Sequence, residues 1–548
     1  MRKQTKLVAV LSTAALLAVG ASMTSFAATG WQEENGTWVY YDRSGDLETE
    51  KWEKSGDNWF YLNDDGEMAT DMIVEYKDNF YYVDENGAMV SNKWVSVDNE
   101  DYDGEDEPAS YWYYFGSNGK AYTGSSEKAN FKTINGKKYT FDEDGKMQYG
   151  WLDENGKRNT ADDAWRTAEY YCGDANDGAQ SIGWMYLAIT DDDYDVADVS
   201  PNFASSNVFD DEDQTRWFYF KSNGKKVKDK DGEGINGKKY SFDIYGRMNA
   251  EWVTKKDATP GEASPSEWRY FNSPEDGARV TRGWFKVVPD QLLDKDDYND
   301  DEDAWFYADG KGSIYANKIK EINGKRYAFD EVGRMKDGFR LIKLGDSSTD
   351  IEEIRGLDGK IDDDADKTVV DTKDDFKNNI NEWLKRGYKL YNFGSGDDGA
   401  MKTGKQTLSL DGESYTFYFG KSGKSRGAGK NEIDHDKFYQ GGMLLKADKD
   451  EKYAVVKIDK DEKGNEYFTL LDSETFINKY TTKAESLKSN ESEAYVIDRS
   501  EGSEAGTSVF RLINTSGSIQ TNKSAAKDGE DNYYEVSSKG IKRIYTKK

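Results

Sequence analysis

The sequence predicts an all-β protein: an elongated β-solenoid of stacked, aromatic-rich β-hairpin repeats, with a less regular β-rich C-terminal region. Three observations predict it. From Trp31 to Trp94 the chain repeats itself every 21 residues. Trp31, Trp52, Ile73 and Trp94 fall on one beat, Trp38, Trp59 and Phe80 on a second, and Tyr40, Tyr61 and Tyr82 on a third. Gly45, Gly66 and Gly87 keep the same interval and close the polar turns Asp42-Arg-Ser-Gly45, Asn63-Asp-Asp-Gly66 and Asp84-Glu-Asn-Gly87, where a positive φ is wanted. Aromatic residues make up 14% of the chain while the whole hydrophobic share is 36%, so the core must be built of Trp, Tyr and Phe ladders. A lone two-stranded hairpin is marginal in water, whereas stacked copies share one apolar seam.

The N-terminus has the form of a secretory signal. Arg2, Lys3 and Lys6 are its basic start, Leu7 to Val19 its apolar run, and Ser25-Phe-Ala27 a small-residue cleavage site. Removing residues 1–27 takes the net charge from −30 to −33. No later stretch approaches the roughly 20 apolar residues of a spanning helix. The end, Ile544-Tyr-Thr-Lys-Lys548, carries no hydrophobic tail and no sortase-type signal, so attachment to a surface is expected to be non-covalent. With Cys172 alone there is no intramolecular disulfide. The acidity argues against nucleic acid, whose phosphates call for a Lys/Arg surplus, and weakly favours cationic ligands.

Four segments are expected: the signal (1–27), regular 21-residue units (28–95), longer repeats with acidic inserts (96–430), and a degenerate β-rich region (431–548). Each regular unit is expected as an aromatic strand, a turn closing on its Gly and a short return strand. An acidic insertion, Ser96 to Ser110, then interrupts the beat. Three longer copies begin at Trp112, Trp217 and Trp305, each with a second hairpin: Ile134 to Tyr139, Ile235 to Tyr240 and Ile322 to Tyr327. A third has a turn two residues longer: Cys172 to Gly178, Phe271 to Gly277 and Phe393 to Gly399. The acidic inserts, Asp191-Asp-Asp193 and Asp294 to Asp303 among them, are expected as solvated loops, since none has the Asp-x-Asp-x-Asp-Gly…Glu spacing of a calcium loop. Asp375 to Lys385 is expected as a short helix. Residues 415–423, 509–517 and 532–540 have the pattern of degenerate hairpins. The stretch 431–508 has strand-like runs, such as Tyr453 to Ile458, without a legible register.

Aligning the hairpins on their turn glycine separates two faces, because residues two apart on a strand share a face. Before Gly45, Gly66, Gly119 and Gly224 one face carries Trp38/Tyr40, Trp59/Tyr61, Trp112/Tyr114 and Trp217/Tyr219. Before Gly145, Gly246 and Gly333 the same positions are Lys138/Thr140, Lys239/Ser241 and Arg326/Ala328, while the opposite face keeps Tyr139/Phe141, Tyr240/Phe242 and Tyr327/Phe329. The constant face is the expected shared core, and the variable face is where ligands are expected to sit.

Gly30-Trp31, Gly36-Thr-Trp38-Val-Tyr-Tyr41, Gly66-Glu-Met68 and Gly145-Lys-Met147-Gln-Tyr-Gly-Trp151 resemble the choline-binding, cell-wall-binding repeats of Gram-positive bacteria. The Asn-Gly-Lys-Lys-Tyr-x-Phe-Asp units are also similar to repeats of clostridial toxin tails and glucan-binding domains. The resemblance spans roughly residues 29–430. It implies a left-handed β-solenoid with choline held between neighbouring hairpins in a cage of Trp and Tyr. A quaternary ammonium has no hydrogen-bond donor, so aromatic faces suit it, at ~0.5–2 kcal/mol per ring. Carried over by position, the cage residues are Trp31, Trp38, Tyr40, Trp52, Trp59, Tyr61, Phe80, Tyr82 and Trp94. Weaker candidates are Trp112/Tyr114, Trp217/Tyr219, Trp268/Tyr270 and Trp305/Tyr307, with Trp151, Trp184, Trp252 and Trp284. The chain departs from the family at Ile73 and Phe339, where a Gly-Trp tryptophan is missing. It departs also in the Lys/Thr, Lys/Ser and Arg/Ala hairpins, where a cation would repel choline. For each Trp the competing reading is plain core.

The expected function is that of a secreted, surface-located, non-catalytic protein docking multivalently on choline-bearing teichoic acid or a related wall glycan, without cofactor or metal. A glycan-binding adhesin or toxin-tail-like lectin is the first alternative, since sugar C–H faces also stack on Trp and Tyr. A wall hydrolase with a cryptic C-terminal catalytic region is the second. Against it, His435 is the single histidine, and Cys172 replaces Phe271 and Phe393 of its sister hairpins. A two-carboxylate glycosidase stays open by motif, since 105 acidic residues offer many pairs.

Overall fold

The computed structural model describes residues 29–102, 104, 107–190, 213–255, 258–359 and 369–548. The expected signal segment and the acidic run Asp191-Asp-Asp193 lie outside the described residues. The protein is mostly β, a succession of antiparallel hairpins with aromatic clusters. It divides into two compact units, Met1–Asp191 with Phe218–Val227, and Asp192–Trp217 with Lys228–Lys548. No helix among the described residues is long and apolar enough to cross a membrane.

In the first unit the hairpins pair Gly30–Glu34 with Thr37–Tyr41, Lys51–Ser55 with Asn58–Leu62, Met72–Glu75 with Phe80–Val83, Lys93–Asp98 with Ser110–Phe115, and Lys132–Ile134 with Lys137–Tyr139. The first closes over Asn35 (φ 52°) and Gly36 (φ 86°). Two successive positive φ values define a two-residue turn whose twist matches the strands. This corrects the expected unit. The ladder closes at Asn35-Gly36, and the turn at Gly45 is followed only by a single bridge, Tyr41 to Leu47, in place of a return strand. Leu62–Met68, Val83–Met89, Phe115–Ala121 and Phe141–Met147 repeat that bridge.

The reason is where the next amide goes. Met68 donates its N–H to the carbonyl of Trp38 at 2.7 Å, Met89 to Trp59 at 2.8 Å, Ala121 to Phe80 and Met147 to Trp112, both at 2.8 Å. The returning chain is thus shared between one hairpin and its predecessor. The turn itself is built by its first residue: Asp42 Oδ1 accepts the N–H groups of Ser44 and Asp46, and Gly45 N–H bonds the Asp42 carbonyl at 3.1 Å. Asn63, Asp84, Asp142 and Asp153 do the same work in their turns.

The constant face is the core. Val39, Phe60, Leu62, Val83, Tyr113, Phe115, Tyr139, Phe141, Phe218, Phe220, Tyr240 and Phe242 are all buried. Cys172 is buried beside Leu152 and Tyr170, and burial pushes its thiol up to about 12. The native protein is therefore expected to leave a thiol-reactive disulfide reagent unconsumed at pH 8, with one equivalent released only after denaturation. Rapid labelling of the folded chain would contradict this burial.

The two ends of the acidic insertion are paired strands, with Ser96 opposite Trp112 and Asp98 opposite Ser110. One insert expected as a solvated loop is ordered instead. Asp294 to Asp303 contains a short helix, Lys295–Asn299, and Arg334 pairs with Asp294 at 2.7 Å and Asp297 at 2.8 Å.

In the second unit further hairpins run to Phe329, and Phe339–Leu344 then pairs with both Ile351–Arg355 and Tyr388–Asn392. The helix Lys373–Lys385, capped by Thr372, buries Phe376, Ile380 and Trp383 against Leu390, Phe417, Phe419 and Met443. The expected boundary at 430 falls inside a five-stranded sheet formed by Gly404–Leu410, Glu413–Phe419, Met443–Leu444, Lys437–Gln440 and Glu432–Asp434. Tyr453–Lys460 lies between Glu466–Leu471 and Val509–Asn514, and a second five-stranded sheet closes the chain. The pattern at 509–517 is a true copy of the upstream motif, with Asn514 capping the turn and Ile513 bridging Ile519.

Candidate functional site

Strand pairing decides which side chains share a face. Trp31 lies opposite Tyr40 and Glu33 opposite Trp38, so one face gathers Trp31, Glu33, Trp38 and Tyr40. The next hairpin repeats this as Trp52, Lys54, Trp59 and Tyr61, the third as Ile73, Glu75, Phe80 and Tyr82, the fourth as Trp94, Ser96, Trp112 and Tyr114. In the second unit Trp284, Lys286, Trp305 and Tyr307 form the same set. The fourth position, held by Glu33, Lys54, Glu75, Ser96 or Lys286, was missed in the sequence. It lies across the turn from the aromatic beat, so only the register reveals it.

The tryptophans then sort by what they touch. Trp31 sits 5.4 Å from Tyr40 of its own hairpin and 5.4 Å from Phe60 of the next. Trp52 is 5.2 Å from both Tyr61 and Tyr81. Trp94 meets Tyr114 at 5.2 Å and Tyr139 at 4.9 Å, and Trp151 meets Tyr171 at 4.9 Å and Phe218 at 5.2 Å. Trp252 and Trp284 repeat the arrangement onto Phe306 and Tyr327. These indoles strut one hairpin onto its successor, and such edge-to-face or tilted pairs add about 0.5–1.5 kcal/mol beyond the area they bury. Ile73 stands opposite Tyr82 and packs on Val90, Tyr113 and Phe115, keeping the apolar contact without an indole. At Phe339 the Trp–Tyr pair becomes Phe–Asn, with Phe339 opposite Asn392.

Trp38 and Trp59 differ. Neither has a ring neighbour among the described residues; Trp38 is half-buried and Trp59 is 40% exposed. Phe80, Trp112, Trp217 and Trp305 are half-buried too. Trp112 leans on the cluster around Tyr139 and Phe141, and the Trp305 indole N–H donates to Asp397 at 2.8 Å. Tyr219 packs on Trp184 at 5.1 Å, and Tyr307 stacks on Tyr315 at 5.6 Å. Trp268 requires a correction: it is fully buried with Trp252, Phe285, Leu293 and Phe306, with Ala263 packed against the cluster. Ala263 and Leu293 pack with it, so it presents no ring to a ligand. Its neighbour Tyr270 is stacked on Phe285 at 4.9 Å.

Further rings join these clusters. Tyr76 lies 6.1 Å from Tyr61, Tyr122 5.1 Å from Tyr114, and Tyr315 completes the set around Tyr307. In the 21-residue alignment Tyr76 falls where Ser55 stands, a visible departure that could have flagged it. Several of these rings already serve as cation seats for the chain's own lysines. Lys77 Nζ lies 4.8 Å from the centre of Tyr76, Lys320 4.8 Å from Tyr315, Lys132 6.0 Å from Tyr122, and Lys54 6.0 Å from Trp59. Burial, followed by the charge of Glu50, raises the Tyr61 phenol; burial and then a hydrogen bond to Asp71 raise that of Tyr82. Both rings stay neutral beside carboxylates, an environment that favours a cation. In the hairpins without this aromatic face, Lys138 stands opposite Thr133, Lys239 opposite Gly234, and Arg326 opposite Glu321.

His435 sits on a two-residue turn with Asp436, its side chain 88% exposed and its Nδ1 3.1 Å from Asp434. Among the described residues no group of three or more His, Cys, Asp or Glu side chains is placed to hold a metal ion.

Residues 48–94 match the model of the choline-binding repeat, and residues 29–47 and 130–147 that of the cell wall binding repeat. No curated protein matches the sequence. Among solved structures, the chain is similar to the modular autolysin LytC of Streptococcus pneumoniae, with 18% identity, a TM-score of 0.30, and coverage of 58% of this chain and 55% of that one. This chain thus spans about half of that autolysin's length. Choline binding protein F of the same organism, solved in the presence of a peptidoglycan analogue, shows 17% identity and a TM-score of 0.29 over 74% of this chain and 99% of its own. The choline binding domain of Spr1274, also pneumococcal, reaches 28% identity over 17% of this chain and 95% of its own, with a TM-score of 0.14. Residues 29–94 and 130–147 are thus repeats of the choline-binding, cell wall binding family.

Proposed function

We propose that this is an exported, non-catalytic attachment protein that docks multivalently on choline-bearing teichoic acid at the bacterial cell surface. Repeats of this family imply association with the cell wall, and two of the described hairpins lie wholly within the matched choline-binding segment. The observation that supports the reading most is the hairpin face itself. It joins an indole without an internal ring partner, Trp38 or Trp59, to a Trp–Tyr pair already locked by packing. Rings held in place by neighbours lose little entropy when a cation arrives. A trimethylammonium group gains from each ring face it covers and asks for no hydrogen-bond acceptor. One such contact is weak, but several on one polymer-bound protein multiply.

Retention on a quaternary-amine resin at high salt, followed by elution with free choline, tests this directly. High salt matters because a chain this acidic would otherwise adhere by net charge. Flow-through at high salt would overturn the choline reading. The non-catalytic part is tested separately by incubation with labelled cell wall: no label should be released, whereas release abolished by carboxylate substitutions would establish a hydrolase.

A further inference from the structure

The C-terminal half of the second unit, outside the matched repeats, holds a groove of about 650 Å³ between the end of the helix Lys373–Lys385, the strand Tyr388–Asn392 and the strand Glu466–Leu471. Tyr388 and Tyr467 are buried in its wall and Tyr418 is half-buried there. Lys430 Nζ lies 4.0 Å from the centre of the Tyr418 ring.

The charge of this groove is opposite to that of the chain. Its two lining carboxylates are already neutralised, Glu432 by Lys430 at 2.5 Å and Glu466 by Lys460 at 3.0 Å. Lys389 and Lys421 also line it, both exposed, and neither forms an ion pair among the described residues. Two uncompensated ammonium groups in one groove stand out in a protein of net charge −30. Asn431 is fixed in the lining, its amide donating to the Glu466 carbonyl at 2.7 Å and accepting from the Gly441 N–H at 3.2 Å.

We propose that this groove is a second binding site, for an anionic saccharide whose sugars carry phosphodiester or carboxylate groups. Ser422, Ser425 and Asn465 line the groove and supply hydroxyl and amide groups that orient a sugar's hydroxyls. Lys389 and Lys421 neutralise the anion as mobile point charges, the chemistry that suits a ligand without fixed bidentate geometry. The site is independent of the aromatic hairpins: it takes an anion, whereas they are suited to a cation.

The test uses the full chain without its first 27 residues and three polymers: yeast phosphomannan for the phosphodiester, polygalacturonate for the carboxylate, and neutral dextran. Saturable binding of either charged polymer and not of dextran, at physiological salt, is expected, and the two arms tell the sources apart. Because the protein as a whole repels polyanions, such binding requires a local site. Lys389→Glu combined with Lys421→Glu should weaken it roughly tenfold or more, with the urea midpoint and choline-resin retention unchanged. Binding of none of the polymers, equal binding of dextran, or unchanged affinity in the double lysine variant would overturn the site. Unaltered choline retention in that same variant keeps this result separate from the fate of the choline reading.

Discussion

Trp38→Ala combined with Trp59→Ala is expected to abolish salt-resistant retention on a choline resin while leaving the fold intact. Each indole is at the surface side of its hairpin and has no ring neighbour among the described residues, so truncation opens no aromatic cluster. At ~0.5–2 kcal/mol per ring the pair removes roughly 1–4 kcal/mol, one to three decades of affinity. The far-UV spectrum and urea midpoint should stay close to those of the parent. Trp52→Ala is the contrasting control. It deletes a strut between Tyr61 and Tyr81 and should cost about 3–5 kcal/mol of local stability as well as binding. The fourth position sets the sign of a further change. Lys54 places its ammonium over Trp59, so Lys54→Glu should raise retention by clearing the ring and adding a carboxylate like Glu33 and Glu75. Unchanged retention in Trp38→Ala/Trp59→Ala would show that these faces do not hold choline.

The second large effect concerns three glycines that differ in why they are glycine. Gly124→Ala is expected to be the most damaging, by about 2–4 kcal/mol, because a Cβ there would fall on the carbonyl oxygen of Phe141. That carbonyl belongs to the backbone and cannot swing aside as a side chain can, and the Gly124 amide is itself bonded to Asp142 at 2.7 Å. Gly87→Ala should cost less. Its φ of +77° strains any L residue, and the new Cβ would lie 2.9 Å from the Met68 sulfur, which is able to move, and 3.1 Å from the Ala69 carbonyl oxygen, a milder backbone contact than that at Gly124. Gly36→Ala meets open space and carries only the left-handed strain, about 1–2 kcal/mol. Urea midpoints in the order Gly36→Ala, Gly87→Ala, Gly124→Ala, from highest to lowest, are expected. Equal midpoints would mean that the stacking of neighbouring hairpins contributes little beyond local turn geometry.

What was legible followed from period. A 21-residue beat exposes itself in Trp31, Trp52 and Trp94 without any pairing information, and alternation along each strand separated the buried Phe60 and Phe115 from the indoles facing away. Where alternation fails, register was lost. Tyr453–Lys460 buries Ala454, Val455, Val456 and Ile458 in two different clusters, so its apolar run is continuous and shows no preferred face. The helix expected over Asp375 to Lys385 runs from Lys373 to Lys385, and its buried Phe376, Ile380 and Trp383 recur at helical spacing. Trp268 was misjudged because a residue's exposure depends on the segment folded over it, and nothing local to Trp268 announces Leu293.

By itself, then, the sequence determined the all-β class, the constant buried face and the family of the repeats. Those properties reside in short-range spacing: turn residues, alternation and a fixed interval. The tertiary structure decided where each hairpin closes, that Met68 and Met89 bond back to the preceding unit, and which tryptophans are struts rather than open faces. It also brought Glu33 beside Trp38 and placed Lys389 and Lys421 on one groove with Tyr418. The physical reason is common to all of these. Each depends on which strand lies against which, and packing energy between segments distant in sequence selects that register.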